Sequence, residues 1–108
     1  MNGVLTLPWG EYADQITSVV VEDGVNAIGQ MAFYGLENLE TVTLAGSVSE
    51  IRNYAFKNCS ALTDINLWTV SYIREGAFYG CSALKDVVLG DDVVIEDWAF
   101  SRTGVILN

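Results

Sequence analysis

The sequence predicts a mainly β, right-handed solenoid of four repeats, each 22 or 23 residues long, with parallel strands and short helical turns. Three observations carry that prediction. The pair Ala-Phe recurs as Ala32-Phe33, Ala55-Phe56, Ala77-Phe78 and Ala99-Phe100, at intervals of 23, 22 and 22 residues. An isoleucine stands four residues before each alanine, at Ile28, Ile51, Ile73 and Ile95. Six residues after the first three phenylalanines lie Leu39, Leu62 and Leu84, and Ile106 follows the fourth.

Within each repeat the elements follow in a fixed order. The unit opens with three apolar residues at spacings of three and two: Ile16/Val19/Val21, Leu39/Val42/Leu44, Leu62/Ile65/Leu67 and Leu84/Val87/Leu89. A spacing of two places side chains on one face of an extended chain, so each set predicts a short strand with one buried face. A corner comes next, holding Gly24, Gly46 or Gly90 in three repeats, where backbone freedom suits a sharp change of direction. The pairs Val25/Ile28, Val48/Ile51 and Val70/Ile73 then supply a second inward-facing wall, and the Ala-Phe pair opens a short helical turn towards Leu36, Cys59 or Cys81. One such unit has nothing against which to bury its apolar side. Stacking units at the interstrand spacing of roughly 4.8 Å turns equivalent residues into continuous columns, with Phe33, Phe56, Phe78 and Phe100 as the spine. The repeat is too short for the helix that a doubly wound sheet requires between parallel strands.

Composition narrows the function. Fourteen acidic residues against five basic ones give a net charge of −9. That sign opposes the phosphate neutralisation on which nucleic-acid binding rests, and it disfavours anionic membrane surfaces. No apolar run approaches the roughly 20 residues of a membrane-spanning helix, so membrane insertion is not expected. Histidine is absent, which removes the commonest general base and the commonest transition-metal ligand. No cofactor and no catalytic residue is expected.

The unit L-x-x-V-x-L-x-x-x-V-x-x-I-x-x-x-A-F-x-x-C-x-x, seen whole in residues 39–61 as LETVTLAGSVSEIRNYAFKNCSA, resembles the BspA-like leucine-rich repeat of bacterial surface proteins. The resemblance covers residues 16–106, as repeats 16–38, 39–61, 62–83 and 84–105 with a truncated fifth from 106. Residues 2–15, with Val4-Leu5-Thr6-Leu7, Pro8-Trp9 and Tyr12, resemble the segment preceding the first repeat in that family, so residues 1–15 are read as an N-terminal cap. The resemblance implies a leucine-rich-repeat fold, a non-catalytic role in adhesion to a partner protein, and a secreted or cell-surface location.

Three departures from the pattern stand out. The third and fourth repeats are one residue shorter between Leu67 and Ile73 and between Leu89 and Ile95, which requires tighter corners. In the fourth, Val93-Val94 slips out of the valine register. The fifth repeat begins at Ile106 with no polar cap after it, so the last coil is expected to present apolar surface and strand edge at Ile106 and Leu107, open to a following coil or to a second copy in a homodimer.

Cys59 and Cys81 occupy equivalent positions. Stacking brings their Cα atoms to about 5 Å, within disulfide range, but parallel Cβ vectors favour two buried free thiols. Four-cysteine zinc coordination is excluded within one chain that has two cysteines.

Binding in a solenoid belongs to the outward residues of the strand wall. They form three columns: Thr17/Glu40/Thr63/Lys85, Ser18/Thr41/Asp64/Asp86 and Val20/Thr43/Asn66/Val88. Thr41, Thr43, Asp64, Asn66 and Asp86 make a polar, acidic surface for a protein or glycan, and Trp68 at the following corner either adds an aromatic anchor or folds over the neighbouring corner to fill space left by the shortened third repeat. The same threonines and valines also suit a plain solvated strand. The Asp64/Asp86 pair has the spacing of glycosidase carboxylates but lacks the enclosing cleft such chemistry needs. Neither that pair nor Asp91-Asp92 nor Glu22-Asp23 has the spacing of a calcium loop. Tyr34, Tyr54 and Tyr79 are expected to form a ridge away from the strand columns.

Overall fold

The computed structural model describes residues 10–107. The predicted strand Val4-Leu5-Thr6-Leu7 and the Pro8-Trp9 pair lie outside the described residues. The described part of the segment before the first repeat is a 3-10 helix, Gly10–Gln15. Its Asp14 carbonyl accepts a hydrogen bond from the Asn38 amide of the first repeat.

Three walls repeat along the stack. Strands β1 (Ser18–Val21), β3 (Thr41–Leu44) and β5 (Asp64–Ile65) form a parallel sheet in the order β1-β3-β5. Register runs Ser18 to Thr41 to Asp64 and Val19 to Val42 to Ile65, as the repeat spacing predicts. Strands β2 (Ala27–Ile28), β4 (Glu50–Ile51), β6 (Tyr72–Ile73) and β7 (Val94–Ile95) form the second parallel sheet, with the four repeat isoleucines in one column. Both sheets bury one face because alternate residues of each strand point inward.

The third wall differs from the expected helical turn. Around each Ala-Phe pair the chain makes successive turns, and alternate backbone N–H groups point along the stack rather than back into their own turn. Those of Met31, Phe33 and Gly35 donate to Asn53, Ala55 and Lys57; those of Tyr54, Phe56 and Asn58 donate to Glu75, Ala77 and Tyr79. The intervening groups close three-residue turns, as Ala55 does to Arg52 and Lys57 to Tyr54. This pattern needs a left-handed residue on either side of each Ala-Phe pair. Met31 and Gly35, Tyr54 and Asn58, Gly76 and Gly80, and Trp98 and Arg102 all have φ between 58° and 80°. A left-handed backbone is unfavourable for a side chain-bearing residue. Here the ladder between coils holds five non-glycine residues in it.

The core sits between the walls. Phe33, Phe56, Phe78 and Phe100 stack with ring centroids 5.2 Å apart at each step. Leu36, Cys59 and Cys81 form the adjoining column, and both cysteines are buried free thiols. Each thiol donates to a phenylalanine carbonyl one coil earlier, Cys59 to Phe33 and Cys81 to Phe56. The neighbouring Cys59 thiol and burial together push the Cys81 pKa well above its usual range.

Three expectations are corrected. Val25 is exposed rather than inward-facing, whereas Val48 and Val70 are buried, because the first coil has a described neighbour on one side only. The corner glycines are not equivalent. Gly24 adopts φ of 100° and Gly90 lies against the Trp68 carbonyl, but Gly46 shows neither a positive φ nor a close neighbour. The set Leu84/Val87/Leu89 forms no fourth strand, and a single bridge from Leu67 to Leu89 is all that continues the first sheet. The one-residue deletion is absorbed at the corner: the turn closes from Val48 to Ala45 in the second repeat but from Val70 to Leu67 itself in the third. Val93 closes the fourth corner onto Gly90 and still packs partly into the core, so the slipped register is tolerated.

At the far end, the N–H groups of Trp98, Phe100 and Arg102 occupy the positions that donate along the stack in earlier coils. They have no acceptor among the described residues. Beside them Trp98 and Ile106 are exposed, while Val105 and Leu107 fold back to line a depression over Phe100.

Candidate functional site

The tight third corner shapes the strand wall. Because its turn starts at Leu67, Trp68 occupies the second turn position and its side chain is thrown outward, 58% exposed. It overlooks an open recess of about 410 Å³ whose polar lining comes from Thr43, Asp64, Asn66 and Asp86. Val88, exposed in the same column as Asn66, closes the far side. Five of the six predicted binding residues thus meet in one depression. Thr41 stands on the same exposed face but does not line it.

Asn66 departs from its predicted role. Its Oδ1 accepts from the Leu44 N–H at 2.7 Å and its Nδ2 donates to the Leu44 carbonyl at 2.8 Å. One primary amide thereby satisfies both backbone groups of a strand residue whose next coil has left the strand after Ile65. The side chain is a rung of the sheet first, and one N–H and one lone pair remain for a ligand. Asp64 and Asp86 are exposed, and among the described residues neither makes an ion pair. No group of three or more Cys, Asp or Glu side chains among the described residues is placed to share a metal ion. The predicted self-association residues lie elsewhere, at the stack end, with Ile106 82% exposed and Leu107 48%.

A family model described as BspA type leucine rich repeat region, six copies, matches residues 11–108. The chain belongs to this family. Among solved structures it is similar to a leucine-rich repeat protein from Bacteroides ovatus ATCC 8483, at 30% identity over 82% of this chain and with a TM-score of 0.75. It is also similar to a leucine rich cell surface protein from Faecalibacterium prausnitzii A2-165, at 31% identity over 82% and a TM-score of 0.55. A leucine-rich repeat protein from Eubacterium ventriosum ATCC 27560, at 22% identity, 83% coverage and a TM-score of 0.59, shares the fold. The chain spans 28%, 31% and 30% of those three proteins respectively. Among curated proteins there is no match.

The BspA-type repeat also builds a surface that the sequence reading only half anticipated. Tyr34, Lys57 and Tyr79 form one column on the third wall, and Tyr54 reaches the same point from the side. The Lys57 ammonium lies 5.9, 5.3 and 5.4 Å from the ring centroids of Tyr34, Tyr54 and Tyr79. Each contact is a cation–π interaction worth about 0.5–1 kcal/mol at an exposed site. The Tyr54 ring fits because Gly76 in the next coil has no side chain; a Cβ there would collide with it. Its hydroxyl donates to Glu75, which raises the Tyr54 pKa above its ordinary value. The tyrosine ridge was legible, but Lys57 at its centre was missed although it shares the 23- and 22-residue spacing.

Between these walls runs an ion network. Arg74 stacks on Tyr72, donates to Glu50 at 2.7 Å and reaches Glu96 at 3.0 Å, while Arg52 meets Glu50 at 3.4 Å. The Arg74 hydrogen bond, with further help from Arg52, holds the Glu50 carboxyl below its usual pKa against the opposing effect of burial.

Proposed function

We propose that this chain is a non-catalytic recognition module, displayed outside the cell, that binds a protein or glycan through its strand wall. The observation that carries the reading is the Trp68 recess, where an exposed indole meets two carboxylates that make no ion pair among the described residues, on an otherwise open sheet face. Exposed tryptophans anchor interfaces because a large apolar surface is buried at little entropic cost. Family membership and a cell-surface relative support the location.

The test is surface plasmon resonance against panels of extracellular proteins and glycans, comparing the wild type with Trp68→Ala and with the Thr41→Ala/Thr43→Ala double variant. Binding should weaken about tenfold or more on loss of Trp68, with the unfolding midpoint unchanged. A ligand that all strand-wall variants retain overturns the proposal.

A second reading is end-to-end assembly through Ile106 and Leu107, favoured by the exposed apolar side chains of the last described coil and by its N–H groups that have no acceptor among the described residues. Those three donors set its geometry. A two-fold dimer would face donors with donors, so a partner has to bring carbonyls to this end. Light scattering over a concentration series tests it: a mass that rises with concentration and falls back with Ile106→Asp supports assembly, and a constant monomer mass overturns it.

A further inference from the structure

We infer that the Trp68 recess takes a cationic side chain, an arginine or lysine of a partner protein, held between the indole and the carboxylates of Asp64 and Asp86. This rests on the strand wall being the binding surface and narrows what it binds. The first argument is where the protein has placed its own positive charge. Arg52 and Arg74 pair with Glu50 and Glu96, and Lys57 and Arg102 lie over tyrosine rings, all away from the strand wall. The fifth basic residue, Lys85, stands exposed in the outer strand-wall column with its stem against Gly104, and makes no ion pair among the described residues. The strand wall therefore shows three carboxylates, Glu40, Asp64 and Asp86, against the single ammonium of Lys85, with no ion pair among the described residues, on a chain of net charge −9. A partner supplying the missing counter-charge gains attraction both at long range and in contact.

The second argument is hydrogen-bonding balance. Ionised carboxylates only accept, and one of the two donors of the Asn66 amide is taken by the Leu44 carbonyl. The lining has more acceptors than donors, with the Thr43 hydroxyl, the Trp68 indole N–H and the second Asn66 N–H as its side-chain donors. A guanidinium brings five donors and no acceptor, and an ammonium brings three. Both also favour the face of an indole, where the π-electrons attract a cation. A neutral sugar brings donors and acceptors together and leaves the carboxylate charge uncompensated. The occupant that matches charge, donor count and aromatic wall at once is the cationic side chain.

The experiment titrates the protein with an acetylated, amidated pentapeptide carrying two arginines between glycines, and separately with its citrulline analogue, following amide and indole N–H resonances by NMR. Expected are shifts at the Trp68 indole and at the Asp64 and Asp86 amides with the arginine peptide only. Asp64→Asn/Asp86→Asn should weaken the response about tenfold. The charge-matched control Asp91→Asn/Asp92→Asn, on the exposed fourth corner, should leave it near wild type. Equal losses in the two double variants, or equal binding of the citrulline peptide, overturn the proposal by showing diffuse attraction or no need for charge. A neutral oligosaccharide that shifts Trp68 while the arginine peptide does not overturns the cation and leaves the strand wall standing as the binding surface. Silence of the strand wall towards both peptide and sugars overturns both. Near-ultraviolet circular dichroism confirms that each variant keeps its packing.

Discussion

The third and fourth coils carry nearly the same sequence pattern and end up differently built. Phe78 and Phe100 sit in one column and stack at the same 5.2 Å, but Phe78 is fully buried while Phe100 keeps 8% of its surface. The third coil pairs through β5, whereas the matching Leu84/Val87/Leu89 set keeps a single bridge to Leu67. The stack-facing N–H groups of Gly76, Phe78 and Gly80 donate to the carbonyls of Asp97, Ala99 and Ser101, whereas those of Trp98, Phe100 and Arg102 have no acceptor among the described residues. The lesson is that a repeat of this length does not own its secondary structure. A coil is completed by the neighbour on each side, as expected when stability is a sum of unit and nearest-neighbour contributions.

The largest effect that sharpens this comparison is in the phenylalanine column. Phe78→Ala opens a cavity between two rings and should cost about 3–5 kcal/mol in urea unfolding. Phe100→Ala, with a described ring on one side only, should cost clearly less. Equal losses would break the comparison. Next comes Asn66→Ala, which strips both partners from the Leu44 backbone and should cost about 1–3 kcal/mol, with faster hydrogen exchange at the Leu44 amide. Thr43→Ala, in the same column but without such a role, should leave both readouts near wild type.

Smaller still is the contrast between inner thiols and solvent. Cys81 is buried with its pKa pushed up, so iodoacetamide at pH 8 should label it only at the rate of opening or unfolding. Fast labelling of the native protein would show that the inner coils open independently. The smallest effect concerns the ion network. Glu50 is held below its ordinary pKa, so its contribution is complete above the usual carboxylate range and is lost as pH falls through the lower, folded-state value. Glu50→Gln should flatten that part of the acid-unfolding profile, and added salt should shrink the difference between the two proteins.

Much of this was legible from spacing alone. Columns such as Ile28/Ile51/Ile73/Ile95 follow directly once repeats stack, because stacking carries every equivalent residue to the same face. The candidate recess was legible for the same reason, since Thr43, Asp64, Asn66 and Asp86 lie in adjacent outward columns. The reading failed where one residue does what its equivalents do not. Asn66 stands in a column with two valines and a threonine, yet its amide continues a ladder that the backbone abandons. Lys57 stands between two tyrosines of its column, and only the side approach of Tyr54 completes the ring around it. Neither fact has a periodic signal.

The repeat length, the inward and outward columns, the phenylalanine spine, the acidic imbalance and the family were determined by the sequence by itself, because each depends only on which residue types recur at which interval. The tertiary structure decided the rest. It decided that the Ala-Phe segment is a left-handed-studded ladder and not a helical turn, that the fourth strand does not form, and that a shortened corner projects Trp68 over the carboxylates. The physical reason is common to all three. Backbone hydrogen bonds in this stack run between coils, so the conformation of any segment depends on what the neighbouring coil offers it at that height, and that is a property of the assembled stack.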